Sequence, residues 1–118
     1  MTATTLIRAL QQQRQAAEQG FDWPDVDGAW RKLHEELQEL QQADNPNARA
    51  HELGDVLYSV VNIARFLEID PDAALQQACQ RFEERFAYVE ARIRQSELPP
   101  DLEQMEDWWQ QAKQSGQE

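Results

Sequence analysis

Apolar side chains recur every three or four residues along most of this chain, and short runs of Gly, Pro, Asp and Asn interrupt them. That is the pattern of a few long helices separated by tight breaks. The first helix is expected over residues 4–18, with Leu6, Ile7 and Leu10 on one face, and Gly20 ends it. Phe21-Asp22-Trp23-Pro24 makes a connector, because Pro24 cannot continue a helix. A second helix is expected over 25–43, with Trp30, Leu33, Leu37 and Leu40 on its buried face, and Asp44-Asn45-Pro46-Asn47 breaks it. The third, over 48–68, is apolar on most sides between Val56 and Leu67, as the central helix of a bundle should be. Asp70 caps the fourth and Pro71 opens it, over 71–95, with Leu75, Ala78, Phe82, Phe86, Val89 and Ile93 as its buried stripe. After Pro99-Pro100 a short fifth helix, over 101–114, carries Leu102, Met105, Trp108, Trp109 and Ala112.

The fold class expected is therefore all-α: a bundle of four to five helices in one domain over residues 1–118. Its apolar surface exceeds what so small a chain can cover. The third helix is apolar on several sides, and Phe82 and Phe86 add a second broad face. A homodimer that completes the core is the expected solution.

Charge changes the picture next. The 22 acidic against 11 basic residues give a formal net charge of −11, which repels a phosphate backbone and argues against nucleic-acid binding. The single cysteine, Cys79, allows no internal disulfide and fits a reducing compartment; it reads as a small buried residue. No stretch approaches the apolar length of a membrane span, and the N-terminal segment lacks the pattern of a secretory signal, so a cytoplasmic protein with no membrane partner is expected.

Some of the acids are patterned. Glu36 and Glu39 stand three apart on the second helix, roughly 60° apart around its axis, with Lys32 on the same side and Glu35 beside them. This acid strip borders the apolar face, which puts it at the margin of the core. On the third helix Glu52 and Asp55 repeat the spacing, and Ser59 and Asn62 continue their stripe down an otherwise apolar helix. A lone pair of acids is ordinarily a solvated face; a polar edge on a helix meant for burial is not. Placed antiparallel, the two helices bring the pairs face to face, where four carboxylates repel unless protonated or bridged by metal. Neither His34 nor His51 follows a Glu by three residues, so the pattern favours hard cations over a di-iron site.

At these residues the chain resembles the MazG family of nucleoside triphosphate pyrophosphohydrolases. The resemblance runs through Phe21-Asp22-Trp23-Pro24, Lys32-Leu33-His34-Glu35-Glu36-Leu37-Gln38-Glu39 and Glu52-Leu53-Gly54-Asp55-Val56-Leu57. It continues through Val60 to Arg65, Asp70-Pro71, Arg81 to Phe86 and Trp109 to Lys113. It implies an α-helical fold working as a dimer or a dimer of dimers, and cleavage of NTPs or dNTPs between the α and β phosphates. It implies metal ligation by Glu36, Glu39, Glu52 and Asp55, with Mg²⁺ as the cofactor and Mn²⁺ able to substitute. Lys32, Asn62 and Arg81 match polar or basic positions that contact substrate, and Trp109 matches a tryptophan that packs against the nucleoside. Glu36, as a ligand, and Glu35, as general base or supporting acid, are the catalytic candidates. The family often has Asn where this chain has Cys79 and usually Lys where it has Arg81, which bears on base preference. Related all-α pyrophosphohydrolases acting on dUTP, dCTP or phosphoribosyl-ATP are the alternative within the same chemistry. A helical interaction module without catalysis is the alternative outside it.

Overall fold

The computed structural model describes residues 4–115. Five helices account for most of them: α1 (Thr5–Glu18), α2 (Val26–Gln42), α3 (Pro46–Phe66), α4 (Pro71–Gln95) and α5 (Leu102–Gln114). Among the described residues there is no strand, so the all-α class holds. The chain divides into two compact units, one ending at Ala74 and one beginning at Leu75.

Each helix start has a local chemical cause. The side chain of Thr4 accepts from the Ile7 N–H, Asp25 from Asp27, Asn45 from Ala48 and Asp101 from Gln104, at 2.9–3.2 Å. Asp70 Oδ1 accepts from both Asp72 and Ala73, just ahead of Pro71. These oxygens satisfy N–H groups that the first turn leaves unpaired. They also explain why the helices start one residue inside the expected bounds 4, 25 and 101. The start of α3 is corrected in the other direction, from 48 to Pro46. Half of the expected break is in fact a cap plus a proline at the first helical position.

The ends of α1 and α3 share one motif. The Phe21 N–H bonds the Ala16 carbonyl and the Gly20 N–H bonds that of Ala17; Ile69 to Ala64 and Glu68 to Arg65 repeat the pattern. Both are Schellman caps, which place a left-handed residue just past the helix. Gly20 fills that place with φ 93°, and Glu68 does so with φ 57°. The second cap ends α3 at Phe66 rather than at 68.

Within the first unit α3 is the central helix and packs against both α1 and α2. Ala9 and Leu10 of α1 bury against Val61, with Leu6 and Ile7 around them. Gln13 Nε2 donates to the Tyr58 carbonyl at 2.9 Å, and the Tyr58 hydroxyl donates to Gln12 Oε1 at 3.0 Å. The 19–25 connector is tied to α3 by Arg65, which donates to both carboxylate oxygens of Asp22 at 2.6 and 3.0 Å. That hydrogen bonding holds the Asp22 carboxyl below its ordinary 3.8. The pairing therefore stabilises fully above pH 3.8 and fades as acid protonates Asp22. Trp23 lies flat against Gly28, where a Cβ would come within 2.6 Å of the indole.

The second unit buries Val89, Trp108 and Ala112. Phe82 stacks on Phe86 at 5.7 Å and meets Trp109 at 5.4 Å, and the Tyr88 hydroxyl donates to Gln111 Oε1. Leu75, Phe82 and Phe86, expected to be buried, are exposed, as is Cys79. A 13-residue helix cannot cover the apolar stripe of a 25-residue one.

A left-handed backbone costs a residue with a Cβ roughly 1–2 kcal/mol, and glycine avoids this at some cost in chain entropy. Glu68→Gly should therefore raise the stability of the fold by about 0.5–1 kcal/mol. Urea denaturation followed by far-UV circular dichroism checks it; an unchanged or lower midpoint would contradict the cap assignment.

Candidate metal and substrate site

The three-residue connection Ala43–Asn45 joins α2 and α3 into a helical hairpin, and its seam holds the patterned acids. Around α2 the buried side runs through Ala29 and Glu36, with Leu33 and Leu40 half-buried, while Trp30 and Leu37 are exposed. The helix is thus turned by roughly 60° from the orientation its apolar face predicts. The correction matters chemically. Glu36 is not at the margin of the core: it is 3% exposed, inside the seam.

One carboxylate oxygen from each of Glu36, Glu39 and Glu52 lies within 4.8 Å of the others. Lys32 Nζ sits 2.9 Å from Glu36 Oε1 on the same helix, and this contact with Glu36 is the main reason its ammonium is held above the ordinary 10.5. Glu35 is exposed beside Lys32 and adds to the same effect. Glu39 is pushed above its ordinary 4.5, first by the charge of Glu36 and then by hydrogen bonding to Glu52 and by its charge. One ammonium faces three carboxyl groups in this cluster. The oxygens Glu36 Oε2 and Glu52 Oε2 are buried and have no hydrogen-bond partner among the described residues.

A second group shares Glu52. His51, Glu52 and Asp55 also offer ligand atoms within 4.8 Å of one another, with His51 Nε2 at 3.3 Å from Asp55 Oδ2. His51 was not expected among these acids, although its spacing of four to Asp55 was available as a signal. Buried, unpartnered carboxylate oxygens in an oxygen-dominated set fit a hard divalent cation, so the acidic cluster could hold a metal ion.

Ser59 is buried, as its place on the polar stripe of α3 allows. Asn62 turns to other work: its Oδ1 accepts from Arg65 Nε at 2.8 Å, and it lines a cavity of about 320 Å³ walled by α1, the connector and α3. Trp23, 42% exposed, lies on the same wall. Arg81 and Trp109 belong to the second unit. Arg81 is half-buried on α4; the Trp109 ring has Phe82 at 5.4 Å and the Arg85 guanidinium at 5.8 Å.

The fold and site define a class: an all-α protein whose central helical hairpin encloses a carboxylate cluster. The chain belongs to the MazG family, for the MazG nucleotide pyrophosphohydrolase domain matches residues 25–89, the span that contains every one of these acids. It is 41% identical over 116 residues to the nucleoside triphosphate pyrophosphohydrolase/pyrophosphatase MazG of Thermotoga maritima, covering 94% of this chain and 44% of that protein. It is 40% identical over 116 residues to the nucleoside triphosphate pyrophosphohydrolase of Escherichia coli, covering 92% of this chain and again 44% of the relative. A shorter match, 39% over 67 residues, is to the uncharacterized protein YabN of Bacillus subtilis, of which it covers 14%. The chain thus spans less than half the length of these relatives.

The mutual repulsion of the acids can be measured directly. Glu36→Gln removes the largest cause of the raised Glu39 pKa, so the Glu39 carboxyl should titrate lower, toward 4.5, in that variant. A raised carboxyl pKa means stability is lost as pH climbs from 4.5 through the raised value. The variant should lose less stability than the wild type on going from acid to neutral pH. Carboxyl-carbon NMR titration of the metal-free protein checks it; an unmoved Glu39 would show that Glu36 is not its perturbing neighbour.

Proposed function

We propose that this chain hydrolyses nucleoside triphosphates between the α and β phosphates, releasing the monophosphate and pyrophosphate, with Mg²⁺ held by Glu36, Glu39, Glu52 and Asp55. The observation that carries the reading is the cluster of carboxylates at the α2–α3 seam with two buried oxygens left unpartnered. The names of the relatives support it, as does the match that spans the acids. Both units act together as one pyrophosphohydrolase domain in this reading, and the protein works in the cytoplasm, where its one thiol stays reduced.

A triphosphate and a carboxylate cluster repel each other. Bound divalent cations supply the positive charge between them and make a water more acidic. The protein's own residues do the rest. Lys32 holds Glu36 in place and, in this reading, also contacts the triphosphate. Glu35, exposed beside it, takes the proton as the water oxygen bonds the α-phosphorus and the bond to the bridging oxygen breaks. Arg81 offsets charge on the departing pyrophosphate. For the nucleoside end this chain offers two receptors, Trp109 on the second unit and the cavity lined by Asn62 in the first.

Assembly belongs to the same proposal. Leu53, Leu57 and Val60 share one side of α3 and are exposed, as are Leu75, Phe82 and Phe86 on α4. A two-fold homodimer, alone or paired again, would cover such faces. Light scattering at micromolar concentration should give at least twice the 13.8 kDa chain mass; a monomer would refute this part.

Glu36→Gln, Glu39→Gln, Glu52→Gln and Asp55→Asn should each lower kcat by about 10²-fold or more, because each removes charge at the metal. Their helical circular dichroism should be unchanged. Pyrophosphate release over a panel of NTPs and dNTPs, including dUTP, dCTP and phosphoribosyl-ATP, measures this, with chelation by EDTA as the control. Wild-type turnover in any two variants, or full activity in EDTA, would overturn the assignment.

A further inference from the structure

Lys32 and Glu36 form a pair that helix stability does not explain. The ammonium lies 2.9 Å from Glu36 Oε1, four residues along the same helix. The contact therefore ties α2 to no other element, and a lysine N-terminal to its glutamate is the less favourable order for such a pair. The two ends also differ in setting. The Glu36 side chain is 4% exposed and the Lys32 side chain 49%. One end is a buried, fixed carboxylate; the other is a hydrated ammonium on a long, flexible stem.

Charge is what the pair contributes. Glu36 shares the seam with Glu39 and Glu52, each offering an oxygen within 4.8 Å of the others. A buried carboxylate among like charges is costly without a cation beside it, and Lys32 brings one from the solvent side. The same carboxylate belongs to the set that fits a divalent cation, and its Oε2 is buried with no hydrogen-bond partner among the described residues. Two cations at contact distance from one carboxylate repel each other, and the divalent one draws the charge that the ammonium needs. Lys32 can yield, because its stem reaches solvent and any phosphate oxygens that approach from there.

We propose that Lys32 is an exchangeable counter-ion of the metal site: it balances Glu36, gives that carboxylate up to a divalent cation, and is thereby freed to meet the triphosphate. The inference rests on the reading of a metal-dependent triphosphate hydrolase and deepens it by setting an order, metal on Glu36 before Lys32 on phosphate. It runs opposite to a purely positioning role. A lysine that only orients Glu36 strengthens metal binding; one that competes for Glu36 weakens it, and by linkage the metal weakens the pairing to the same degree.

The test uses the two lysines of the chain, Lys32 and Lys113, the second being exposed on α5. Lysine-selective isotope labelling of the whole chain gives an NMR reporter and a control. Exchange of the Lys32 ammonium protons with water, slowed by Glu36, should speed up toward that of Lys113 when Mg²⁺ alone is added. Affinity for Mn²⁺, read from the EPR signal of the free ion, is the second measurement. Lys32→Gln should bind Mn²⁺ about fivefold or more tightly than wild type. Its urea midpoint should fall in EDTA and recover at saturating Mg²⁺. Lys32→Arg, which keeps the charge, should bind Mn²⁺ no more tightly than wild type. Equal or weaker Mn²⁺ binding by Lys32→Gln, or Lys32 proton exchange unmoved by Mg²⁺, would overturn the exchange and leave Lys32 as a positioning residue. A wild-type chain that binds no Mn²⁺ at millimolar concentration would overturn the metal reading, and this inference with it. Release of Lys32 by Mg²⁺ without turnover of any triphosphate would overturn the hydrolase reading and leave the exchange standing.

Discussion

Glu36 is the constraint around which the first unit is organised. A carboxylate inside a helix–helix seam loses its hydration, and attraction to one lysine does not restore it. Lys32 is half exposed and reaches Glu36 from the same helix. Glu39 and Glu52 add charge of the same sign nearby, and Glu39 responds by holding its proton more tightly. Packing alone would place a leucine at such a position. The fold tolerates the cluster because the rest of the hairpin over-determines the geometry: a capped, proline-initiated α3, a three-residue connection and small residues such as Ala29 that let α2 approach closely.

One helix, α3, carries both the carboxylates and a wall of the cavity. Glu52 and Asp55 stand in its first half, and Tyr58, Asn62 and Arg65 in its second, so the carboxylates and the cavity are fixed to one rigid element. Arg65 links the two levels of structure. It pins the connector through Asp22, orients Asn62 and packs on the Phe66 ring at 4.4 Å. Gly20 and Gly28 act on the same region from the backbone side, one by allowing the left-handed turn into the connector and the other by leaving room for the Trp23 indole. A cavity wall assembled from a turn, a tight contact and an ion pair is held more precisely than a loop that has none of these.

Much of this was legible in the residues themselves. Capping side chains, prolines and three-to-four periodicity are local signals, and they place five helices to within two residues at each end. The end of α3 was missed because its left-handed position holds Glu68, where the usual signal is glycine. The acid pairs were visible as spacings, and the family resemblance gave them a chemistry. The match over residues 25–89 now bears out the family.

Sequence by itself determined which helices form, which acids share a side of each helix, and the family, because all three depend on neighbours within a few turns or on motif identity. Tertiary structure decided the rest. How far α2 rotates about its axis depends on the summed packing of Ala29, Leu33 and Leu40 against α3, and that rotation put Glu36 in the seam rather than at its rim. The cavity could not be read from the chain either, since Gln13 and Trp23 lie about forty or more residues from Asn62 in sequence. Their meeting is fixed by contacts across that distance, between Gln13 and Tyr58 and between Asp22 and Arg65, which no local pattern encodes.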